Sequence, residues 1–282
     1  MSRTLIVNAD DYGLTEGISR GILHAHRAGV VSSTSVLAVG PAVGVTGPWL
    51  HDSPDLGTGA HLALVGEDPP LLSRTEIPTL VDRAGRFPLS WRVFLARAAA
   101  GRVDPADVER EFTAQVERLT RDLGLRLSHL DTHQHLHLWP PVAAVLVRLA
   151  RRHAVGATRV PSSRSRGPRG AGVRMLSRRL RTVVDRAGLA APSAYAGLDE
   201  AGRFTLPRLL QAIDLLAGLH ADKLEVNCHP GEAGDPDRAR YAWGFRWSAE
   251  LDALTHPATR DAISRHGLRL AGFSELAPTG QR

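Results

Sequence analysis

The sequence has one cysteine, Cys228, and one lysine, Lys223, in 282 residues. A single cysteine excludes an intramolecular disulfide and a zinc site built from several thiolates, so any bound metal must be held by oxygen and nitrogen. The sequence also lacks a run of about 18 uncharged apolar residues and has no signal-like hydrophobic segment before its first apolar run. We therefore expect no membrane span and a cytoplasmic location.

Because lysine is scarce, arginine carries nearly all of the positive charge, and much of it lies in one segment. Residues 151–186 hold eleven arginines against one acid, Asp185, in a chain whose net charge is +6. Such a segment can meet phosphates, but this one has no aromatic side chain that could stack on bases. We expect a solvated or anion-tolerant surface rather than a nucleic-acid site, with a mobile loop over residues 162–172.

Strand-like apolar runs alternate with helical patterns along the chain. The predicted strands are residues 5–9, 33–39, 55–64, 128–131, 158–161, 223–227 and 268–273. The predicted helices are residues 16–28, 105–123, 140–153 and 206–219, the second of them capped by Asp104 with Pro105 at its first position. This alternation favours an α/β fold with mainly parallel strands, open or closed into a barrel, as a single domain over residues 1–282.

Polar residues that could bind a metal stand at the ends of several predicted strands. Asp10 and Asp11 follow the first strand, His61 lies in the third, His229 follows the sixth, and three histidines crowd residues 133–137. The carboxyl ends of parallel strands face one crevice, so these side chains can converge. Carboxylates and imidazoles bind divalent ions, and a catalytic site supplies three protein ligands and leaves open positions. Taken alone, each residue is equally well explained as a turn cap or a hydrogen-bonded core residue.

Four sequence blocks resemble those of the YdjC-like carbohydrate deacetylases, a family that includes chitooligosaccharide deacetylases and hopanoid-biosynthesis-associated deacetylases. The blocks are residues 8–14 (NADDYGL), 59–62 (GAHL), 129–137 (HLDTHQHLH) and 228–231 (CHPG). The resemblance implies a distorted (β/α) barrel related to the polysaccharide deacetylases, one divalent metal ion (Mg or Zn), and removal of acetyl groups from N-acetylated sugars. Matched position by position, it implies Asp11, His61 and His133 as metal ligands and Asp10 as the general base.

The chemistry of amide hydrolysis suggests further roles. The amine leaves poorly unless it is protonated, and His229 is our candidate acid because an unperturbed histidine has a pKa of about 6.5. Asp131 would either orient a ligand histidine or cap its strand, and His135 is expected only as a substrate contact. A cluster of aromatic residues would pack on sugar rings, in the core or at a subunit interface: Tyr241, Trp243, Phe245 and Trp247.

The sequence thus predicts a metal-dependent carbohydrate N-deacetylase whose partner is a small N-acetylated sugar, with no nucleic-acid partner and with a homo-oligomer left open. Two alternatives remain at this point. A metal-dependent phosphoesterase on a barrel would use similar ligands and the arginine-rich segment, although such enzymes usually cluster ligands for two or three metals. A non-catalytic sugar-binding or anion-binding protein would keep the fold but would need neither the base Asp10 nor the acid His229.

Overall fold

Seven parallel strands form the sheet in the part of the chain that the structure describes. The structure is a computed structural model, and it describes residues 3–276. The strands pair in the order β4-β3-β2-β1-β6-β5, and β7 pairs with β1. In chain order they are β1 (Thr4–Tyr12), β2 (Ser33–Val36), β3 (Gly57–Leu62), β4 (His129–Thr132), β5 (Ala194–Ala196), β6 (Lys223–Cys228) and β7 (Arg269–Leu270).

Helices cover the sheet, and several begin at the capping residues that the sequence predicts. The Asp104 side chain accepts a hydrogen bond from the backbone N–H of Ala106, with Pro105 at the first helical position. No helix within residues 3–276 is long and apolar enough to cross a membrane. The helices are α1 (Glu16–Arg27), α2 (Val43–Thr46), α3 (Trp91–Ala99), α4 (Pro105–Glu117), α5 (Pro140–Arg152), α6 (Pro168–Arg186), α7 (Leu206–Ala217), α8 (Trp247–Thr255) and α9 (Pro257–Arg265).

The sheet curls into a distorted barrel, which confirms the predicted fold class. Beyond β4, pairing continues only through two isolated parallel bridges, one between Leu130 and Thr158 and one between Ala157 and Ala190. Ala190 lies four residues before β5, so these bridges lead from one edge of the sheet towards the other. Both termini of the predicted domain, residues 1–2 and 277–282, lie outside the described residues, and the single domain stays a prediction.

Two local predictions in the arginine-rich segment are wrong. Residues 158–161 do not form a regular strand: only Thr158 makes a bridge, to Leu130, and the neighbouring bridge to Ala190 is made by Ala157. The loop predicted over residues 162–172 ends early, because Gly167 and Pro168 stand at the N-cap and first position of α6. The sequence analysis also missed the short strand β5 and five helices, namely α2, α3, α6, α8 and α9.

Gly59 allows β3 and β4 to pack tightly where they meet. A Cβ built on Gly59 would overlap the imidazole of His129, which is fully buried and stacks on Phe273 with ring centroids 3.8 Å apart. The histidine ring therefore occupies the space that any larger residue at position 59 would need. At Gly57, two residues earlier on the same strand, an added Cβ would meet nothing closer than Ser33 Oγ at 3.4 Å.

We expect Gly59→Ala to lower the free energy of unfolding by about 1–3 kcal/mol, because the added methyl group overpacks the site and must displace a buried ring. Gly57→Ala is the matched control and should change stability by less than about 0.5 kcal/mol. Urea unfolding followed by circular dichroism measures both. Equal stability of the two variants would contradict the role assigned to Gly59.

Candidate active site

The three predicted metal ligands meet at the carboxyl end of the sheet. Asp11 lies near the end of β1, His61 in β3, and His133 directly after β4. Asp11 Oδ1 is 3.5 Å from His61 Nε2 and 3.2 Å from His133 Nδ1, and the three donor atoms all lie within 4.8 Å of one another. All three side chains are buried. The structure therefore brings together residues that are more than 120 positions apart in the sequence.

A backbone irregularity in β1 directs two consecutive carboxylates to this site. Successive side chains of a regular strand point to opposite faces. Asp11, however, has a left-handed φ of 70°, and the pairing register of β1 against β2 shifts between Ala9 and Tyr12. As a result both Asp10 Oδ2, at 3.8 Å, and Asp11 Oδ1, at 3.5 Å, approach His61 Nε2. The predicted base Asp10 and the predicted ligand Asp11 can therefore face the same site although they are adjacent in the sequence.

Asp131 orients the ligand histidine His61. The two residues are directly paired in the register of β3 and β4, and His61 Nδ1 lies 2.7 Å from Asp131 Oδ1. With Nδ1 engaged in this way, Nε2 is the ring nitrogen turned towards Asp11. Burial opposes charge on this ring, but the carboxylates of Asp131, Asp10 and Asp11 outweigh it and raise the pKa of His61 to about 9.

A fully buried arginine, Arg159, binds the carboxylates that lie next to the predicted metal ligands. Its Nη1 and Nη2 donate to the two oxygens of Asp10 at 2.7 and 2.8 Å, and its Nε donates to Glu225 at 2.7 Å. Nη1 also lies 2.8 Å from Asp131 Oδ2. Burial alone would raise the pKa of Asp10, yet the guanidinium of Arg159 and the nearby His61 hold it well below its usual range. Asp10 is therefore ionised at neutral pH.

The charges around Arg159 leave room for a divalent cation at Asp11. Burial raises the pKa of Glu225 to about 7, so Asp10, Asp11 and Asp131 are the firmly ionised carboxylates. One guanidinium stands against these three carboxylates, so with His61 neutral, as binding a metal requires, the site carries an excess of negative charge. Asp11 Oδ1 is buried and accepts no hydrogen bond, so its lone pairs are available. A second donor group of Asp10, His61 and Asp131 also exists, but Arg159 already binds both of its carboxylates.

The hydrogen bonds of Asp10 leave one acceptor position on the side of the metal ligands. An ionised carboxylate has about four lone-pair sites. Oδ1 accepts from Asn8 Nδ2 at 2.8 Å and from Arg159 Nη2, whereas Oδ2 accepts only from Arg159 Nη1. The remaining site is on Oδ2, the oxygen nearer to His61 Nε2. Asp10 can therefore accept a proton there without breaking its contacts to Arg159.

His229 lines the same cavity as Asp10 and the three ligands. Its backbone N–H donates to the buried Glu250 carboxylate at 2.6 Å, and its ring packs edge-on against Phe245 with centroids 4.8 Å apart. Nδ1 is buried without a hydrogen-bond partner. Burial lowers the pKa of His229, and the charges of Asp11 and Asp10 act in the opposite direction. The ring is thus held by its backbone and by packing rather than by a carboxylate.

The three histidines of residues 133–137 lie in three different environments. Gln134 and His135 both adopt left-handed backbone conformations, with φ of 52° and 56°, so strand alternation ends at His133. His135 Nε2 lies 3.3 Å from Tyr195 Oη and takes no part in the donor group. His137 Nε2 lies 3.1 Å from the backbone oxygen of Arg159 and therefore supports the arginine from behind. His135 also lines the cavity, so a substrate contact there stays a prediction.

The aromatic cluster divides between the cavity wall and the core. Trp243 lies beside His133 with ring centroids 5.3 Å apart, and its Nε1 donates to Glu67 at 2.9 Å. Trp243 and Phe245 line the cavity, whereas Tyr241 and Trp247 are buried. Of the four aromatic residues, two therefore contribute to the wall of the cavity and two to the core.

Sequence reasoning missed Arg159 and the polar residues that surround it. Arg159 was grouped with a solvated arginine-rich surface, which is wrong for this one residue. The available signal was its position between Thr158 and Val160, in a stretch that was predicted to be a short strand. Ser35 was also missed: its hydroxyl donates to Asp131 at 3.0 Å and accepts from Asn8 Nδ2 at 2.9 Å.

The chain is similar to known proteins along nearly its whole length. The model of the YdjC-like protein family matches residues 4–265. A carbohydrate deacetylase of Geobacillus stearothermophilus is 32% identical over 277 residues, covering 98% of this chain and 99% of that protein. A chitooligosaccharide deacetylase of Klebsiella pneumoniae is 29% identical over 281 residues, covering 98% and 100%.

A crystal structure from Enterococcus faecalis, provisionally described as that of a cellobiose-phosphate cleavage protein, is similar along its whole length. It superposes with a TM-score of 0.81 at 27% identity, covering 98% of this chain and 100% of that one. The family match extends over far more than half of the sequence and includes every residue of the site described above. This chain belongs to the YdjC-like family.

Proposed function

We propose that this protein is a metal-dependent carbohydrate N-deacetylase, which hydrolyses the acetamide of an N-acetylated amino sugar or of a glycoside that carries one. The observation that carries the proposal is the convergence of Asp11, His61 and His133 beside an ionised Asp10, with His229 on the same cavity. The relatives named carbohydrate deacetylase and chitooligosaccharide deacetylase support the choice of an acetylated sugar.

The donor set fits a divalent transition metal or zinc better than magnesium. Two imidazole nitrogens and one carboxylate oxygen suit zinc and its neighbours, whereas magnesium prefers oxygen ligands and retains several waters. Such an ion would supply Lewis-acid chemistry, polarising the acetamide carbonyl and making water more acidic. The buried carboxylates outnumber the one guanidinium of Arg159, which favours binding of a cation at the site.

The residues of the site can then perform the hydrolysis as a general base and a general acid. Asp10 Oδ2 takes a proton from the water whose oxygen attacks the acetyl carbon, and Arg159 keeps that carboxylate in place. His229 gives a proton to the amide nitrogen as the carbon–nitrogen bond breaks. The products are acetate and the free amine, and each proton has a named donor and acceptor.

The phosphoesterase alternative has less support. A two-metal phosphoesterase needs a second cluster of free ligands close to the first. In residues 3–276 the only other donor group shares His61 with the first, and its carboxylates are bound by Arg159. The arginine-rich segment contributes one arginine to the cavity wall, Arg169. The geometry therefore favours one metal ion.

Removing any one of the three ligands should release the metal. We expect Asp11→Ala, His61→Ala and His133→Ala each to reduce bound zinc and abolish turnover, because a three-ligand site loses a third of its protein donors. His135→Ala is the matched control from the same histidine cluster and should retain most of its metal. Elemental analysis of the purified proteins decides between these ligands. Full metal in His133→Ala together with none in His135→Ala would contradict the assignment.

Metal exchange should distinguish a nitrogen-rich site from an oxygen-rich one. After removal of metal with a chelator, Zn²⁺ or Co²⁺ should restore acetate release from N-acetylglucosamine oligomers at lower concentrations than Mg²⁺, by roughly 10-fold or more, since imidazole favours the transition metals. Titration of each ion against activity gives the half-saturating concentrations. Restoration by Mg²⁺ at equal or lower concentrations would show that the donor set has been misjudged.

A third experiment separates a catalyst from a binding protein. Asp10→Asn and His229→Ala should each lower kcat/KM by roughly 10²–10⁴-fold while metal content stays near that of the wild type. The wild-type pH profile of kcat/KM should be bell-shaped. Because burial lowers the pKa of His229, the alkaline limb, which reports loss of the acid proton as pH rises, should lie at lower pH than for an ordinary histidine. It should be absent or displaced in His229→Ala. Near-normal activity in both variants would remove the acid and base assignments.

A further inference from the structure

A chain of buried hydrogen bonds runs from Asp131 away from the metal ligands. Asp131 Oδ2 accepts a hydrogen bond from Ser35 Oγ at 3.0 Å, and the same Ser35 Oγ lies 3.0 Å from His129 Nε2. The other ring nitrogen of His129, Nδ1, lies 3.0 Å from Ser128 Oγ. Ser35, His129 and Asp131 are fully buried. Because solvent does not reach these three side chains, a hydrogen bond that is lost there is not replaced by one to bulk water.

The His129 ring in the middle of this chain is neutral. Both of its nitrogens face serine hydroxyls rather than a carboxylate, and the ring stacks on Phe273. Burial lowers the pKa of His129 to about 4, and the charge of Asp131 opposes this only in part. A neutral imidazole has one nitrogen that donates and one that accepts. One of the two serines must therefore donate to the ring, and the other must accept from it.

The contacts of Ser35 decide which serine accepts. A serine hydroxyl has one proton and two acceptor sites. The proton of Ser35 goes to Asp131, because an ionised carboxylate can only accept. The amide nitrogen of Asn8, which also donates to Asp10 at 2.8 Å, donates to Ser35 Oγ at 2.9 Å and fills one acceptor site. The second acceptor site of Ser35 is filled by His129, whose Nε2 therefore carries the proton of the neutral ring.

Ser128 begins the chain as the donor to His129 Nδ1. Its Oγ lies within reach of two acceptors, His129 Nδ1 at 3.0 Å and the backbone oxygen of Thr58 at 2.8 Å. That backbone oxygen already accepts the backbone N–H of Ser128 at 2.7 Å, so the hydroxyl proton is available to the ring. The hydrogen bonds then all run in one direction, from Ser128 through His129 and Ser35 to Asp131.

We propose that Ser35 and His129 are positioning residues for metal binding, which act through Asp131 on His61. The proposal rests on the proposed function in taking His61 as a metal ligand. Ser35 and Arg159 together hold Asp131 Oδ2, at 3.0 and 2.8 Å, which leaves Oδ1 facing His61 Nδ1 at 2.7 Å. Since the carboxylate only accepts, Nδ1 of a neutral His61 carries the proton, and Nε2 keeps the lone pair that a metal ion needs.

The first test measures zinc affinity without any substrate, by competition between the protein and a chromogenic chelator. Ser35→Ala should raise the dissociation constant of Zn²⁺ roughly 10-fold, because loss of the groups that orient a metal ligand typically costs about 10- to 100-fold in affinity. Ser33→Ala is the matched control: Ser33 is also a buried serine of β2, but its Oγ donates to the backbone oxygen of Gly57 at 3.2 Å. Its zinc affinity should stay near that of the wild type.

Two substitutions of His129 separate its hydrogen bonds from its packing. His129→Gln keeps a donor and an acceptor and should retain most of the zinc affinity, whereas His129→Leu fills the site without polar atoms and should weaken zinc binding in the same direction as Ser35→Ala. Thermal unfolding establishes that each variant is folded. The visible absorption spectrum of bound Co²⁺, which reports the geometry of the ligands, should change in Ser35→Ala and His129→Leu and stay as in the wild type in Ser33→Ala and His129→Gln.

The direction of the chain is measured in the wild type, by proton–nitrogen correlation spectra of protein with isotope-labelled histidine, and the His129 signals are assigned by their loss in His129→Gln. We expect a neutral ring with its proton on Nε2 at neutral pH. A proton on Nδ1, a charged ring, or equal zinc affinities of Ser35→Ala and Ser33→Ala would each overturn the positioning proposal and leave the deacetylase proposal standing. The expected spectra and affinities, with no acetate released from N-acetylglucosamine oligomers by the zinc-loaded wild type, would support the positioning role and refute the deacetylase.

Discussion

The arrangement of the site depends on the ion pairs that the buried guanidinium of Arg159 makes. It binds Asp10, Asp131 and Glu225 at once, with each contact between 2.7 and 2.8 Å. Without it, several carboxylates would share a region with no water to screen their repulsion, and removal of one partner from such a buried ion pair typically costs about 3–5 kcal/mol. Arg159 therefore stabilises the fold around the site and also fixes the protonation state of the proposed base.

This network ties the geometry of the metal ligands to the pairing of the strands. Asp131 contacts Arg159 and also orients His61, while the irregular backbone at Asp11 turns two neighbouring carboxylates of β1 to the same side. His137 supports the backbone of Arg159 from the same turn that carries His133. A change in the register of β3 against β4 would therefore disturb the metal ligands and the proposed base together.

The cavity combines a highly charged floor with an apolar wall. At the floor lie the carboxylates of Asp10 and Asp11; Asp10 is paired with Arg159, which is buried behind the cavity, whereas Asp11 is not. In the wall, helices α3 and α6 present leucine and valine side chains. The charged and the apolar regions of the cavity thus come from separate elements of the chain, since strand ends supply the first and helices supply the second.

Much of the architecture could be predicted from patterns of short range. The alternation of apolar strands with helical segments indicated a parallel α/β barrel, and Asp104 with Pro105 marked the start of α4, because capping and periodicity are local properties. Short or irregular elements escaped prediction: β5 has only three residues, and Ala157 and Thr158 make single bridges to two different segments. Their structure depends on partners that are distant in sequence.

For the site, the sequence by itself determined which donors are present: the strand-end aspartates and histidines and, through a single cysteine, the absence of thiolate clusters. The tertiary structure alone decided how they are used. It placed Asp131 beside His61 through strand register, turned Asp10 and Asp11 to one side through a left-handed residue, and buried one arginine of an arginine-rich segment while others remained exposed. The physical reason is that burial and charge pairing depend on contacts between residues far apart in the chain, and neither composition nor periodicity contains that information.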